Sequence, residues 1–334
     1  MRLFFLVSGL LFLGPLLPAQ SPSRYATRVA AFQRGPGPGI FKTSNVLGPP
    51  RGSGYKAGST HVLSLGAGGS VTLGFDVEIA DGPGADFLVF ENPFYAGRNF
   101  SSFAELFFVE VSTNGKDFTR FPAVYHGPSR SPGAFGTLPM GCCSNLGGIT
   151  PVLADPARRP GLDPFDPCLA GGDPFDLADL KNDPLVKAGK VALGRIRFVR
   201  LVDIVSGKEK DSLGKTIYDP GGPTGSADID AVAVIHYRKG MAPRGPRVEL
   251  FRSKNTVRVV FSDPDGLSDL DPSSLHASLN AYPVPAAALL GYFKILSFSA
   301  TRVEFALSGI PPGFFFTIGF SVRDKSGAFS GARR

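Results

Sequence analysis

Apolar side chains fall on every second residue from Val71 to Val77, with Thr72, Gly74 and Asp76 between them. A period of two puts alternate side chains on opposite faces, so this stretch predicts a half-buried strand. Turn residues follow at Asp81-Gly-Pro-Gly, and the run Asp86 to Phe90 (DFLVF) predicts a second, short strand that stops abruptly at Glu91-Asn92-Pro93. A third, Phe107 to Ser112 (FFVEVS), leads into Asn114-Gly115. Both of those residues tolerate positive φ, which predicts a two-residue hairpin turn with Phe118 and Phe121 on the return strand. Alternation resumes from Arg195 to Val205, with Ile196 and Phe198 facing in and Arg195, Arg197 and Arg200 facing out, and again in Ala227 to Tyr237 (ADIDAVAVIHY). Tyr25 to Phe32 predicts an opening strand, and His61 to Leu65 a shorter one.

Beyond residue 246 the pieces VELF, TVRVVF, SLHASL, TRVEFAL and FFFTIGFSVRD are strand-like at immunoglobulin-like spacing. At 334 residues the chain has the length of two domains of roughly 150 residues each. The pattern therefore predicts a first domain over 21–238, a linker over 239–246 and a smaller sandwich over 247–334. Between residues 122 and 184 the periodicity vanishes into Pro, Gly and Asp. A connection that long inside a compact domain is functional or disordered as a rule. Asp173 and Asp176, ahead of an apolar turn (FDLADL), predict a short capped helix within it.

Composition sharpens the class. The 42 Gly and 30 Pro require many turns and argue against long helices, while 29 Phe suffice for real cores, so the chain is expected to be all-β. Met1-Arg2 followed by the apolar run Leu3 to Leu17 reads as a signal peptide over residues 1–20, too short to span a bilayer. With no second long apolar segment, a secreted or cell-surface protein without a membrane span in its mature chain is expected. The net charge of +7 is scattered, with no Lys/Arg run and no interleaved aromatics, which excludes a nucleic-acid partner of the usual kind.

The segments GGSVTLGFD, DGPGADFLVFEN, FAELFFVEVSTNGKDFTRFP, GGDPFDLADL and ADIDAVAVI occur in this order across roughly residues 25 to 237. Together they resemble a family of bacterial secreted or cell-surface proteins with a galactose-binding-like (discoidin-type) β-sandwich. The ending SVRDKSG resembles the last strand of bacterial Ig-like modules. The resemblance implies a galactose-binding-like jelly-roll β-sandwich followed by an Ig-like β-sandwich, and implies little about activity because fold does not fix function.

Carboxylates gather at the expected strand ends: Asp81, Asp86, Glu91, Glu105, Glu110, Asp203, Asp228 and Asp230, with Asn92 beside them. Clustered oxygen ligands suit a hard cation such as calcium. Galactose-binding-like domains often carry a structural one, so the resemblance adds weight to Glu91, Asn92, Asp228 and Asp230 as the best-placed ligands, with Asp86 and Asp203 behind them. Salt bridges to Arg195, Arg197 and Arg200 are the competing arrangement. The run Asp263-Pro-Asp-Gly-Leu-Ser-Asp-Leu-Asp271 fails the EF-hand pattern and predicts Asx-capped turns. Phe94, Tyr95 and Phe100 follow the Glu91-Asn92-Pro93 break, where exposed rings would stack on a glycan or meet a cell-surface protein. Cys142, Cys143 and Cys168 lie in the long loop of an exported chain, which predicts one bridge from Cys142 or Cys143 to Cys168.

Catalytic signals are sparse. There is no G-x-S-x-G elbow and no H-E-x-x-H, and His61, His126, His236 and His276 show no metal spacing. Gly214-Lys215-Thr216 mimics the end of a P-loop, but Glu209 stands where its first Gly belongs. A non-catalytic binding or structural role is the leading expectation. The alternative is a secreted hydrolase with its site under the 122–184 loop, for which a carboxylate pair such as Glu91 and Glu105 would serve.

Overall fold

The computed structural model describes residues 21–37, 41–96, 100–220, 225–239, 245–253, 255–311 and 314–334. The expected signal segment 1–20 and most of the expected linker lie outside these. The chain is all-β, and every strand pairing within its sheets is antiparallel. Among the described residues no helix is long and apolar enough to cross a membrane.

The N-terminal unit is built on two main sheets packed face to face, with three small two- or three-stranded sheets beside them. The larger runs in the order Arg28–Gln33, Ser70–Ile79, Ile196–Asp203, Phe107–Ser112 and Leu146–Gly147, and the smaller in the order Asp173–Phe175, Phe87–Phe90 and Ala231–Val234. Between them lie Val71, Leu73, Phe75 and Val77, the alternating positions of the longest strand, with Val109, Val111, Val199 and Leu201. Phe87, Phe121 and Phe175 meet at its centre, with ring centroids 5.0 to 5.9 Å apart.

The run Phe87–Phe90 is apolar throughout because both of its faces are covered. Phe87 and Val89 enter the core between the sheets, whereas Leu88 and Phe90 enter an outer cluster with Val152, Ala154 and Ala170 from the long loop. Phe108 turns outward in the same way, into a cluster with Tyr125, Met140 and Cys142. The 122–184 segment is thus ordered and lies over the outer faces of both sheets. Its short strand Asp173–Phe175 joins the smaller sheet, and Asp176 caps the 3-10 turn Leu177–Leu180 by accepting from the Ala178 amide at 2.9 Å.

The Asn114-Gly115 turn differs from expectation. Strand Phe107–Ser112 pairs back only through Glu110 with Arg120 and Val111 with Thr119, so the seven residues 112–118 make the connection. Ser112 Oγ accepts from the Asn114 and Gly115 amides, and Asn114 Oδ1 from those of Lys116 and Asp117. These side-chain bonds hold a wider loop than the two-residue turn. Phe118 leaves the strand and lies beneath the Arg200 guanidinium, 3.9 Å from its ring centre.

Residues 247–334 form two further four-stranded sheets with a core of their own around Val259, Phe261, Phe293 and Phe320. The edge strand of one, Lys294–Phe298, is exposed along its whole length, Ile295, Leu296 and Phe298 included. The two units are interlocked. Ala85 N–H donates to Gly331 O at 3.0 Å, and Gly84, at φ 87°, passes so close that a Cβ would come within 2.5 Å of that oxygen. Arg333 is buried and donates to Pro167 O at 2.9 Å and to Gly172 O, Arg334 pairs with Asp179 at 2.9 Å, and Arg323 pairs with Asp163 at 2.7 Å. Asp163, Pro167, Gly172 and Asp179 all belong to the long loop, which is therefore the seat of the C-terminal unit.

Candidate functional site

At one end of the N-terminal unit, five carboxylates converge because the strands carrying them end together. Asp203 closes strand Ile196–Asp203, Glu91 follows Phe87–Phe90, and Glu105 precedes Phe107–Ser112. Asp228 opens the short strand Asp228–Ile229, which pairs with Leu63–Ser64, and Asp219 reaches in from the polar loop. Four of the five pin backbone, while the Asp228 carboxylate bonds to the Ser64 and Asn92 side chains. Asp203 accepts from the Ala227 and Gly68 amides, both at 2.8 Å, Asp219 from Leu106 at 2.9 Å, Glu105 from Ser226 at 2.9 Å, and Glu91 Oε1 from Asp228 at 2.8 Å.

Those bonds leave the negative charge uncompensated. Burial, together with the Asp228, Asp219 and Asp203 carboxylates, pushes Glu105 up to about 9. Glu91 is held well above the usual carboxylate range by burial and then by Glu105 and Asp228. Burial raises Asp219 to about 7 and Asp203 to about 6, with other acids adding to the push. Glu91 is only 2% exposed, and its Oε2 has no hydrogen-bond partner. A buried carboxylate oxygen left alone is costly, since desolvation is not repaid. Beside the cluster opens a cavity of about 270 Å³ lined by Glu105, Asp203, Asp219, Ser206 and Ser226.

The arginines expected to compete are engaged elsewhere. Arg197 and Arg238 hold Glu78, on the outer face of the larger sheet, down to about 2, and Arg120 and Arg200 clasp Glu110 at 2.7 and 2.5 Å.

The six expected metal ligands are split among three places. Glu91, Asn92 and Asp228 stay together, and Asp203 joins them across Glu105. Asp230 lies apart, both of its oxygens accepting from the Arg51 amide at 3.1 and 2.9 Å. Asp86 is fully satisfied by the Gly82 and Leu177 amides, both at 2.7 Å, and by His236 Nδ1 at 3.0 Å. Together with Asp81 and Asp176 it forms an acidic trio whose oxygens lie within 4.8 Å of one another, but Lys181 and Arg247 already face Asp81. The cluster around Glu105 is wider than that spacing. Glu105, its hub, and Asp219 were outside the expected ligand set. Glu105 carried a signal in its place just before a strand, whereas Asp219 sits in a loop without periodicity.

The three rings expected to meet a partner mostly meet other aromatic rings of this chain. Tyr95 packs against the stacked pair Tyr55 and Tyr282, whose centroids are 4.1 Å apart, at 5.6 and 5.5 Å from them, and its hydroxyl donates to Asn280 O in the C-terminal unit. Phe94 stacks on Phe103 at 5.4 Å. Phe100 stands edge-on to Tyr282 at 5.4 Å and remains 49% exposed.

The expected disulfide is not formed. Cys142, Cys143 and Cys168 are free thiols. Cys142 and Cys143 sit over the larger sheet with Sγ atoms 3.2 Å apart, while Cys168 lies against the C-terminal unit, where a Cβ on Gly319 would meet its sulfur at 3.1 Å. The long loop separates the two positions by packing its two parts on different faces.

The chain matches no protein-family model and no curated protein.

Proposed function

We propose that this chain is an exported, non-catalytic scaffold that works by binding, and that its N-terminal unit takes up a hard divalent cation, calcium by its all-oxygen donors, among Glu91, Glu105, Asp203, Asp219 and Asp228. The observation that carries the reading is the buried, partnerless Glu91 Oε2 beside a Glu105 carboxyl raised to about 9. Such a cluster is tolerable when it holds protons or when an ion draws the oxygens together. The finer fold assignments, a galactose-binding-like jelly roll and an Ig-like sandwich, belong to this proposal. Two packed antiparallel sheets and a second four-plus-four arrangement support them.

The hydrolase reading finds less support. The long loop that would roof an active site is the seat of the C-terminal unit, and it contributes only Ser131 to the cavity lining. Stacking on a glycan is likewise weakly supported, because Tyr95 is enclosed by tyrosines, so a cell-surface protein is the better partner class. The test is calorimetric titration of calcium into chelator-stripped protein at pH 7.5 in buffers of different ionisation enthalpy. Binding accompanied by proton release, and weakened at least tenfold by Glu105→Gln, is expected. Calcium uptake without proton release, or none at this site, would overturn the assignment.

A further inference from the structure

The acidic run after strand Thr256–Ser262 forms the expected Asx-capped turn, with Asp263 Oδ1 accepting from the Asp265 amide at 2.8 Å. The cap accounts for only one of the Asp263 oxygens. Asp263 is 1% exposed, and its Oδ2 is buried with no hydrogen-bond partner. Around it the carboxylates of Asp263, Asp265 and Asp269 each bring an oxygen within 4.8 Å of the other two. That is the widest separation two ligands can have on one ion with bonds of about 2.4 Å, the calcium–oxygen length.

The backbone holds this arrangement from two sides. The Asp263 and Leu267 amides donate to Thr301 O at 3.0 Å and Ala300 O at 2.8 Å. Asp269 O accepts from the Lys325 amide at 2.9 Å, and Leu270 bridges to Asp324. Gly266, at φ 110°, makes the bend that returns Asp269 toward Asp263. Asp324, itself buried, adds a fourth negative charge, although Ser326 and Ala328 already donate to its Oδ1 at 2.6 and 2.8 Å. The neighbouring ammonium, Lys325, is bonded to Ser268 O at 2.7 Å.

We propose that this loop is a second divalent-cation site, selective for an oxygen-seeking ion of calcium size, with Asp263, Asp265 and Asp269 as its carboxylate ligands. Asp263 supplies the buried anchor. Asp265 is exposed and Asp269 half-buried, so the outer side of the ion is open to water, as suits an ion that takes six to eight oxygens. Bound there, the ion ties the end of one sheet to the turns at 299–302 and 324–327. The site lies in the C-terminal unit and stands or falls independently of the cluster around Glu105.

The test uses the full chain, stripped with EDTA, titrated by calorimetry with calcium chloride and in parallel with magnesium chloride. Glu105→Gln silences the first cluster, and the remaining calcium uptake is expected to fall at least tenfold on adding Asp263→Asn or Asp269→Asn, with magnesium the weaker ligand throughout. Thermal melts separate ligation from misfolding. In EDTA, Asp263→Asn melts no lower than the parent, because it removes a buried unpaired charge, whereas in calcium the order reverses. A Glu105→Gln chain that takes up no calcium, or one whose uptake both Asp substitutions leave unchanged, overturns the proposal and leaves the first site to be judged on its own titration.

Discussion

Glu105→Gln offers the sharpest test of the carboxylate cluster because it changes one proton and almost no volume. The Glu105 carboxyl titrates near 4.5 in an ordinary environment and is pushed up to about 9 in the folded protein, by burial first and then by Asp228, Asp219 and Asp203. Between those values the folded chain holds a proton that the unfolded chain has released. A raised carboxylate pKa therefore contributes stability that is complete below about 4.5 and is lost as pH rises through about 9. The loss is about 1.4 kcal/mol per pH unit per proton, or about 2 kcal/mol from pH 7.0 to 8.5. Asp203 and Asp219, raised to about 6 and about 7, have largely ionised by the middle of that window and add little to its slope. Glu91 adds to it, and since Glu105 is part of what raises Glu91, the substitution relaxes both. Gln at 105 keeps an oxygen for the Ser226 amide. Urea unfolding followed by far-ultraviolet dichroism, in EDTA at pH 7.0, 7.5, 8.0 and 8.5, is expected to show wild-type stability falling steeply and the variant's much less, with the variant the more stable at pH 8.5. Parallel lines for the two proteins, or wild-type stability that rises over this range, would refute the account of the site.

Two further outcomes test the frame that holds the cluster. Arg333→Met removes the buried guanidinium that binds Pro167 O and Gly172 O and faces Asp173, and breaking a buried charged contact of this kind costs about 3–5 kcal/mol; differential scanning calorimetry is expected to show the C-terminal unit melting ahead of the rest, and an unchanged single transition would count against the interlock. Gly147→Ala places a Cβ 2.1 Å from the Phe107 ring, so it is expected to destabilise by about 1–3 kcal/mol through overpacking in chemical denaturation, with a midpoint equal to wild type as the contrary result.

Much of the framework was legible because a half-buried strand writes its period into the chain. Ser70–Ile79 and Ile196–Asp203 were legible as strands and sit side by side in the larger sheet, but a register shift after Ile196 gives the core positions to Val199 and Leu201 and leaves Phe198, expected to face in, half-buried outside the core beneath Arg28. Phe87–Phe90 was legible as a strand but not as one covered twice, since its outer cover comes from residues some sixty to eighty positions away. The site was half legible for a similar reason. Glu91, Asn92 and Asp228 come together as strand ends should, but Asp230, two residues from Asp228, holds the Arg51 amide instead. The rings Tyr95 and Phe100 looked available because nothing local reveals Tyr282, which arrives from the other unit. Contacts between parts far apart in sequence leave no periodic trace, and the cysteine pairing misled for the same reason. Loop composition said nothing of which sheet face each thiol would join.

The seat between the two units also governs how this protein can be taken apart in the laboratory. Removing residues 247–334 would strip the cover from Asp166, Asp173 and Asp179 and bare the rings of Tyr55 and Tyr95, while the excised piece would carry Arg333 and His276 into water without their counterparts. Fragments cut at the linker thus report the wound as much as the role. Assigning a task to either half calls for point substitutions in the whole molecule.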